Sequence, residues 1–256
     1  DKKALQAGTS HYFGDGFARA FEITFTGKDN QLHYPHQTSW GVSTRMIGGI
    51  IMTHGDNNGL VLPPRIAPIQ VVIIPVAQHK EGVLEANRAV MDRLVKAGFR
   101  VKMDDSDQSA GWKFAEYEMK GIPLRLELGP KDMEKNQCVL VRRDSGEKSF
   151  VSLDGIEDTV AAMLDAIHDG LYARAKKNLE DNTYACSSLE EVREKMKERG
   201  GFAKTMWCGD EACEIRMKEE AGVTSRCIPF AQEHLGDVCP ICGKPAKHMI
   251  YWGVAY

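Results

Sequence analysis

The sequence predicts a multidomain α/β (α+β) protein, on three observations. IQVVIIPV, from Ile69, is a wholly apolar run of strand length, and strand and helix patterns alternate after it as far as Leu171. The N-terminal stretch is instead broken by glycines into short polar and apolar pieces that suit antiparallel strands. Four of the seven cysteines fall as two close pairs near the C-terminus, the mark of a small metal-stapled domain.

In order along the chain, ALQAGTSHYFG sets Thr9 and His11 two apart, so a strand there turns both toward one side. ARAFEITFTG alternates from Phe21 to Phe25 and predicts a second strand. MIGGIIMTHG predicts a short buried helix or a packed strand, between which periodicity does not choose. VLPPRIAP, residues 61–68, carries three prolines and predicts a linker.

After the IQVVIIPV strand, Val83, Ala86, Val90, Leu94 and Ala97 share a helical face that Gly98 ends. FRVKM is a strand, SAGWKFAEYEMK a helix, and PLRLELG a strand with Leu124, Leu126 and Leu128 on one face. CVLVRR and EKSFVSL flank the turn DSG as a hairpin. Ile156, Val160, Met163, Leu164, Ile167 and Leu171 trace a long amphipathic helix, and Ser188 with Glu191 caps another that Gly200 ends.

A formal charge of −3 provides no global basic field, so any nucleic acid must be held by local patches. No apolar run approaches the roughly 18 to 20 residues that cross a bilayer, and no signal-peptide pattern opens the chain, which predicts a soluble cytoplasmic protein. The chain opens on DKKALQ without methionine, and a fragment of a longer polypeptide is expected.

Cys208 with Cys213 and Cys239 with Cys242 form WCGDEAC and CPICG. Two short-spaced pairs deliver four thiolates from two tight turns, the donor set of a closed structural Zn²⁺ site with no open position for chemistry. Two local disulfides or unpaired thiols are the alternative. Cys138, Cys186 and Cys227 lie outside the pairs and read as buried, small apolar side chains.

TSWGVSTRMIGG places Arg45 just before an apolar helical run, where helix N–H groups and the macrodipole favour an anion, with Ser43 and Thr44 adding hydroxyls. A surface arginine with its stem packed and its head in water explains the residue alone equally well.

ALQAGTSHYFGDGFARAFEITF and QTSWGVSTRMIGGIIMTHGDNNGLVLPPRIAP together resemble the later catalytic domain of prolyl-tRNA synthetases of the archaeal and eukaryotic-like type, the second including class II motif 3. The resemblance runs on through the α/β part and the paired cysteines, so it covers the whole chain. It implies residues 1–63 as the end of the antiparallel-sheet class II catalytic domain, 64–168 as an α/β anticodon-binding domain with a mixed sheet, and 169–256 as a helical connection with a zinc-binding C-terminal domain.

It further implies a ligase that activates L-proline with ATP and Mg²⁺ and transfers it to tRNA(Pro), working as a homodimer. Arg45 is then the catalytic electrostatic contributor on the ATP phosphates, with Gln6, Thr9, Ser43 and Thr44 around ATP. Thr9, His11, Ser39, Trp40 and Gly41 surround proline, and Glu118, Arg125, Lys131 and Asp132 read anticodon bases. The terminal Tyr256 is expected to fold back toward the catalytic cleft. Motifs 1 and 2 are absent, so these 256 residues alone are expected to be inactive. A non-catalytic anticodon-binding module, or a class II synthetase of another specificity, is the alternative.

Overall fold

The structure, a computed structural model, describes residues 2–256. Two compact units divide the chain, one built from residues up to Gly49 together with Asn182–Tyr256, the other from Ile50–Asp181. Among the described residues no helix is long and apolar enough to cross a membrane.

The chain begins with β1 (Gly8–Gly14), α1 (Gly16–Ala20), β2 (Phe25–Thr26), β3 (Leu32–His33), β4 (Gln37–Val42) and α2 (Arg45–His54). β1 pairs antiparallel with β4, and β2 with β3. The strand expected over Phe21–Phe25 does not form. Instead α1 ends there, Glu22 takes a left-handed φ of 53°, and only Phe25 joins a strand. Alternation misled here because Phe21, Ile23 and Phe25 all remain exposed, with no sheet face to bury them. The apolar run after Arg45 is a helix, but it buries none of its residues.

The second unit holds β5 (Val71–Pro75), α3 (Val83–Lys96), β6 (Val101–Met103), α4 (Ala110–Met119), β7 (Leu124–Leu128), α5 (Pro130–Met133), β8 (Gln137–Arg142), β9 (Lys148–Ser152) and α6 (Ile156–Asp181). Its five strands are ordered β6-β5-β7-β8-β9, parallel among β6, β5 and β7 and antiparallel onward, so the sheet is mixed.

Central β5 is buried on both faces, which is why its sequence is continuously apolar. One face packs Ile73, Leu126 and Leu140 against Leu94 of α3 and Val160, Leu164 and Ile167 of α6. The other packs Val72 and Ile74 beneath Tyr117 and Phe114 of α4. Lys113 of α4 is 1% exposed and donates to the backbone oxygens of Asp104 (2.9 Å) and Ser106 (2.7 Å), so its buried charge is satisfied.

Residues 61–68 are not a free linker. Val61, Pro64 and Ala67 are buried, and Arg100 donates to Pro64 O (2.9 Å) and Ala67 O (2.8 Å), which ties the proline run to the sheet domain. Residue 169, where the last part was expected to begin, lies within α6.

The first unit is completed by β10 (Thr183–Ala185), α7 (Leu189–Glu198), β11 (Phe202–Trp207), α8 (Glu211–Ala221), β12 (Thr224–Cys227) and β13 (His248–Gly253), with sheet order β10-β11-β13-β12. Ser188 Oγ accepts from Glu191 N (3.1 Å), while the Glu191 carboxylate reaches back to Ser187 N (2.8 Å), one residue earlier than a capping box would place it. Trp252 is fully buried and donates Nε1–H to Thr205 Oγ1 at 2.8 Å. Beyond β13 the chain returns to its start: Ala4 N donates to Val254 O (2.7 Å) and Tyr256 N to Ala4 O (3.3 Å).

Candidate functional site

The cysteines converge as their spacing predicts. β11 ends at Trp207, Cys208 follows, and Gly209 turns the chain at a φ of 85° so that Asp210 can cap α8, whose first turn carries Cys213. The second pair is a knuckle closed by Cys239 N on Lys244 O and Gly243 N on Cys239 O, both 2.8 Å. Lys244 Nζ meets Asp210 Oδ2 at 2.8 Å and joins the two turns.

The four sulfurs lie within 4.8 Å of one another, with Cys208 Sγ 3.7 Å from both Cys213 Sγ and Cys242 Sγ. A tetrahedron with bonds of about 2.3 Å sets sulfurs about 3.8 Å apart, so the donor set fits a zinc-sized soft cation. Burial pushes the Cys208 and Cys213 thiols up, whereas the Lys244 backbone N–H draws Cys242 down to about 7. All four are free thiols, so the alternative of two local disulfides is not realised in this arrangement.

Cys138 and Cys186 are buried, and desolvation raises them to about 12 and about 11. Cys227 is exposed, against expectation, because it ends edge strand β12 at a break in register.

A second constellation sits on the β1–β4 ribbon. Thr9 pairs with Gly41 and His11 with Ser39, so these four residues share one face. Trp40, paired with Ser10, lies on the opposite face, and the strand alternation therefore parts it from the other residues expected around proline. A Cβ on Gly8 would stand 2.9 Å from Gly41 O, so only glycine lets the strands close here.

Ser43 N donates to Ala7 O at 2.7 Å, extending the ribbon, and Ser43 Oγ accepts from Arg45 N at 3.1 Å at the entry to α2. A cavity of about 330 Å³ is lined by Gln6, Gly8, Thr9, Gly41, Ser43 and Arg45. Thr44 stands beside it at the helix start, its carbonyl accepting from Ile47 N at 3.0 Å. The Arg45 guanidinium has no acid partner among the described residues, so a positive side chain and the positive end of a ten-residue helix meet at one hollow. Tyr256 lies near the start of this segment, its ring 5.5 Å from Lys3 Nζ and its backbone on Ala4.

In the sheet unit, a cavity of about 370 Å³ is lined by Asp56, Asn58, Tyr117, Glu118, Arg125 and Arg143 among others. Glu118 Oε1 accepts from Asn58 Nδ2 at 2.9 Å. Arg125 donates to Glu127 at 2.8 Å and lies 4.1 Å over the Phe114 ring. Glu118 and Arg125 are thus brought together. Lys131 and Asp132 are not at this cavity. They lie on α5, where Asp132 accepts from Gly129 N at 3.2 Å as a helix cap.

Sequence reasoning missed Asp56, Asn58 and Arg143, since only the fold reveals pairs 60 and 87 residues apart. Arg143 grips both Asp56 oxygens at 2.7 and 2.6 Å and donates to Glu118 O at 2.7 Å. Those hydrogen bonds from Arg143 hold the Asp56 carboxyl down at about 2. A depressed carboxylate stabilises the fold above its unfolded pKa, and that contribution fades as pH falls toward the folded value. The stability gap between wild type and Asp56→Asn, read as urea midpoint, is therefore expected to be full at pH 6 and to close between about pH 4 and about pH 2. A gap unchanged across that window would refute the pairing.

Comparison with known proteins comes to the same regions. Residues 70–163 match the anticodon binding domain family, and residues 189–256 match the family described as prolyl-tRNA synthetase, C-terminal. Over all 256 residues the chain is 58% identical to "Proline--tRNA ligase 2" of Bacillus thuringiensis subsp. konkukian, covering 54% of that protein. It is 59% identical to a "Proline--tRNA ligase" of Clostridium botulinum and 60% to one of Ruminiclostridium cellulolyticum, covering 53% of each. The chain spans about half the length of the curated relatives it matches.

Proposed function

We propose that this member of the prolyl-tRNA synthetase family supplies the motif 3 side of an ATP and proline pocket and the anticodon grip of a proline–tRNA ligase. The whole polypeptide would convert L-proline and ATP into prolyl-adenylate and pyrophosphate, then pass the prolyl group to the 3′ end of tRNA(Pro). The observation that carries this reading is Arg45, without an acid partner among the described residues, on a cavity with Gln6, Thr9 and Ser43, in a chain 58–60% identical throughout to proline–tRNA ligases.

Arg45 acts on charge. Phosphoryl and nucleotidyl transfer needs little covalent help from a protein and much positioning and neutralisation, which a fixed guanidinium provides. Gln6, Thr9, Ser43 and Thr44 complete the contacts to Mg²⁺-bound ATP. The Thr9, His11, Ser39 and Gly41 face receives proline, while Trp40 supports it from behind. Glu118 and Arg125 read anticodon bases, with Lys131 and Asp132 on the flanking helix. Zn²⁺ on Cys208, Cys213, Cys239 and Cys242 would hold two turns together and supply no chemistry. The protein works in the cytoplasm as a homodimer, its three parts being 1–63, 64–168 and 169–256.

The test is exchange of labelled pyrophosphate into ATP by the intact gene product, scanned over all standard amino acids. Exchange with proline alone is the expected result. Exchange with another amino acid would reassign the specificity, and none from an intact product would leave a tRNA-binding module.

A further inference from the structure

In the sheet unit, directly paired residues form two rows across one face: Val72, Arg125, Val141 and Lys148, then Ile74, Glu127, Val139 and Phe150. α4 covers the β5 end of this face, where Val72 and Ile74 pack beneath Tyr117. The β9 end is open. Phe150 is 69% exposed there, and Lys148 lines the same cavity as Glu118 and Arg125.

β9 is the last strand of the sheet, so both side chains stand at its border. Arg125 and Glu127 neutralise each other at 2.8 Å, which leaves Lys148, with no acid partner among the described residues, as the uncompensated charge of the two rows. The exposed aromatic and the free cation are two residues apart on one side of a strand, about 7 Å. That spacing lets one nucleotide lay its base on the ring while its phosphate meets the ammonium.

We propose that Phe150 is a stacking platform for an unpaired nucleotide of the tRNA anticodon loop and that Lys148 contacts a phosphate beside it. The inference rests on the tRNA-binding reading above and extends it to a strand for which no role was expected. A single-stranded RNA is the occupant because the patch is one flat ring beside one positive charge, continuous with a cavity whose rim carries hydrogen-bonding Glu118 and Arg143. Base–aromatic stacking needs no particular base, so the contact would add affinity and hold the loop in register while the cavity reads sequence.

The experiment titrates the full chain with a tRNA(Pro) anticodon stem-loop carrying 2-aminopurine at each unpaired position in turn, beside an unrelated stem-loop of equal charge. Phe150→Leu keeps the side chain apolar but removes the ring. It is expected to weaken binding roughly 5- to 150-fold and abolish the fluorescence change at one position, whereas Phe150→Tyr restores both. Lys148→Gln is expected to lower the salt slope of log K by about 0.7.

Phe150→Leu binding as tightly as wild type, or an unchanged stacking signal, would overturn the inference while leaving tRNA recognition intact. So would a wild-type dimer that Phe150→Leu dissociates, since the ring would then be covered by a second copy. Wild type that does not distinguish the two stem-loops would instead overturn the reading beneath it.

Discussion

Cys239→Ser is expected to reduce bound zinc from about one equivalent to almost none and to unfold the domain formed by β10–β13, α7 and α8. Cys239 is fully buried, and its neighbours in that core include Trp252, Met217 and Ile241. Serine would therefore lose a thiolate ligand and leave a hydroxyl among apolar side chains, two changes of the same sign.

A structural zinc site in small peptides supplies about 10–16 kcal/mol, against the roughly 5–15 kcal/mol that holds a whole domain. Removing such an ion would thus take away about as much as the domain has to spare. Metal content by mass spectrometry and the near-ultraviolet signal of Trp207 and Trp252, packed edge to face at 6.4 Å, measure the two consequences separately. Cys227→Ser is the control: Cys227 is exposed and outside the cluster, and its replacement is expected to change neither. A zinc-free Cys239→Ser chain with the wild-type unfolding midpoint would show that packing alone maintains the fold.

The sheet unit was largely legible because its periodicities are unambiguous. The alternation of buried Leu124, Leu126 and Leu128 with half-buried Arg125 and Glu127, and the buried row Ile156, Val160, Leu164, Ile167, Leu171, follow directly from strand and helix repeats. The cysteine site was legible because ligand spacing is a local constraint. Less was visible where meaning depends on what lies opposite. The alternation of Phe21, Ile23 and Phe25 imitates a strand, but no partner face pairs with it.

Lys113 sits on a helix predicted from its apolar positions, yet it is buried because Asp104, Ser106 and Gln78 come from other segments to receive its charge. Asp132, which the resemblance offers as an anticodon contact, accepts from Gly129 N as a helix cap, a role its sequence neighbours do not announce. The grouping of residues 2–49 with 182–256 follows from backbone pairing of Ala4 with the last residues, which leaves no side-chain pattern to find.

Arg45→Ala in the intact gene product is expected to cut proline-dependent pyrophosphate exchange by about 10²–10³-fold, the usual loss when one preorganised group facing transition-state charge is removed. Stability should move by no more than about 0.5 kcal/mol, because Arg45 is exposed and makes no ion pair among the described residues. Arg45→Lys should recover part of the rate, as an ammonium keeps the charge but cannot make the two parallel hydrogen bonds of a guanidinium.

Anticodon stem-loop binding by all three proteins should be equal, since Glu118, Arg125 and Lys148 lie in the other compact unit. The combination separates the possible roles. A surface arginine would leave the exchange rate within about threefold of wild type, and a residue needed for folding would take tRNA binding down with the rate. Only a charge acting on bound phosphates would lower exchange by two orders of magnitude, spare stability and RNA binding, and be partly replaced by lysine.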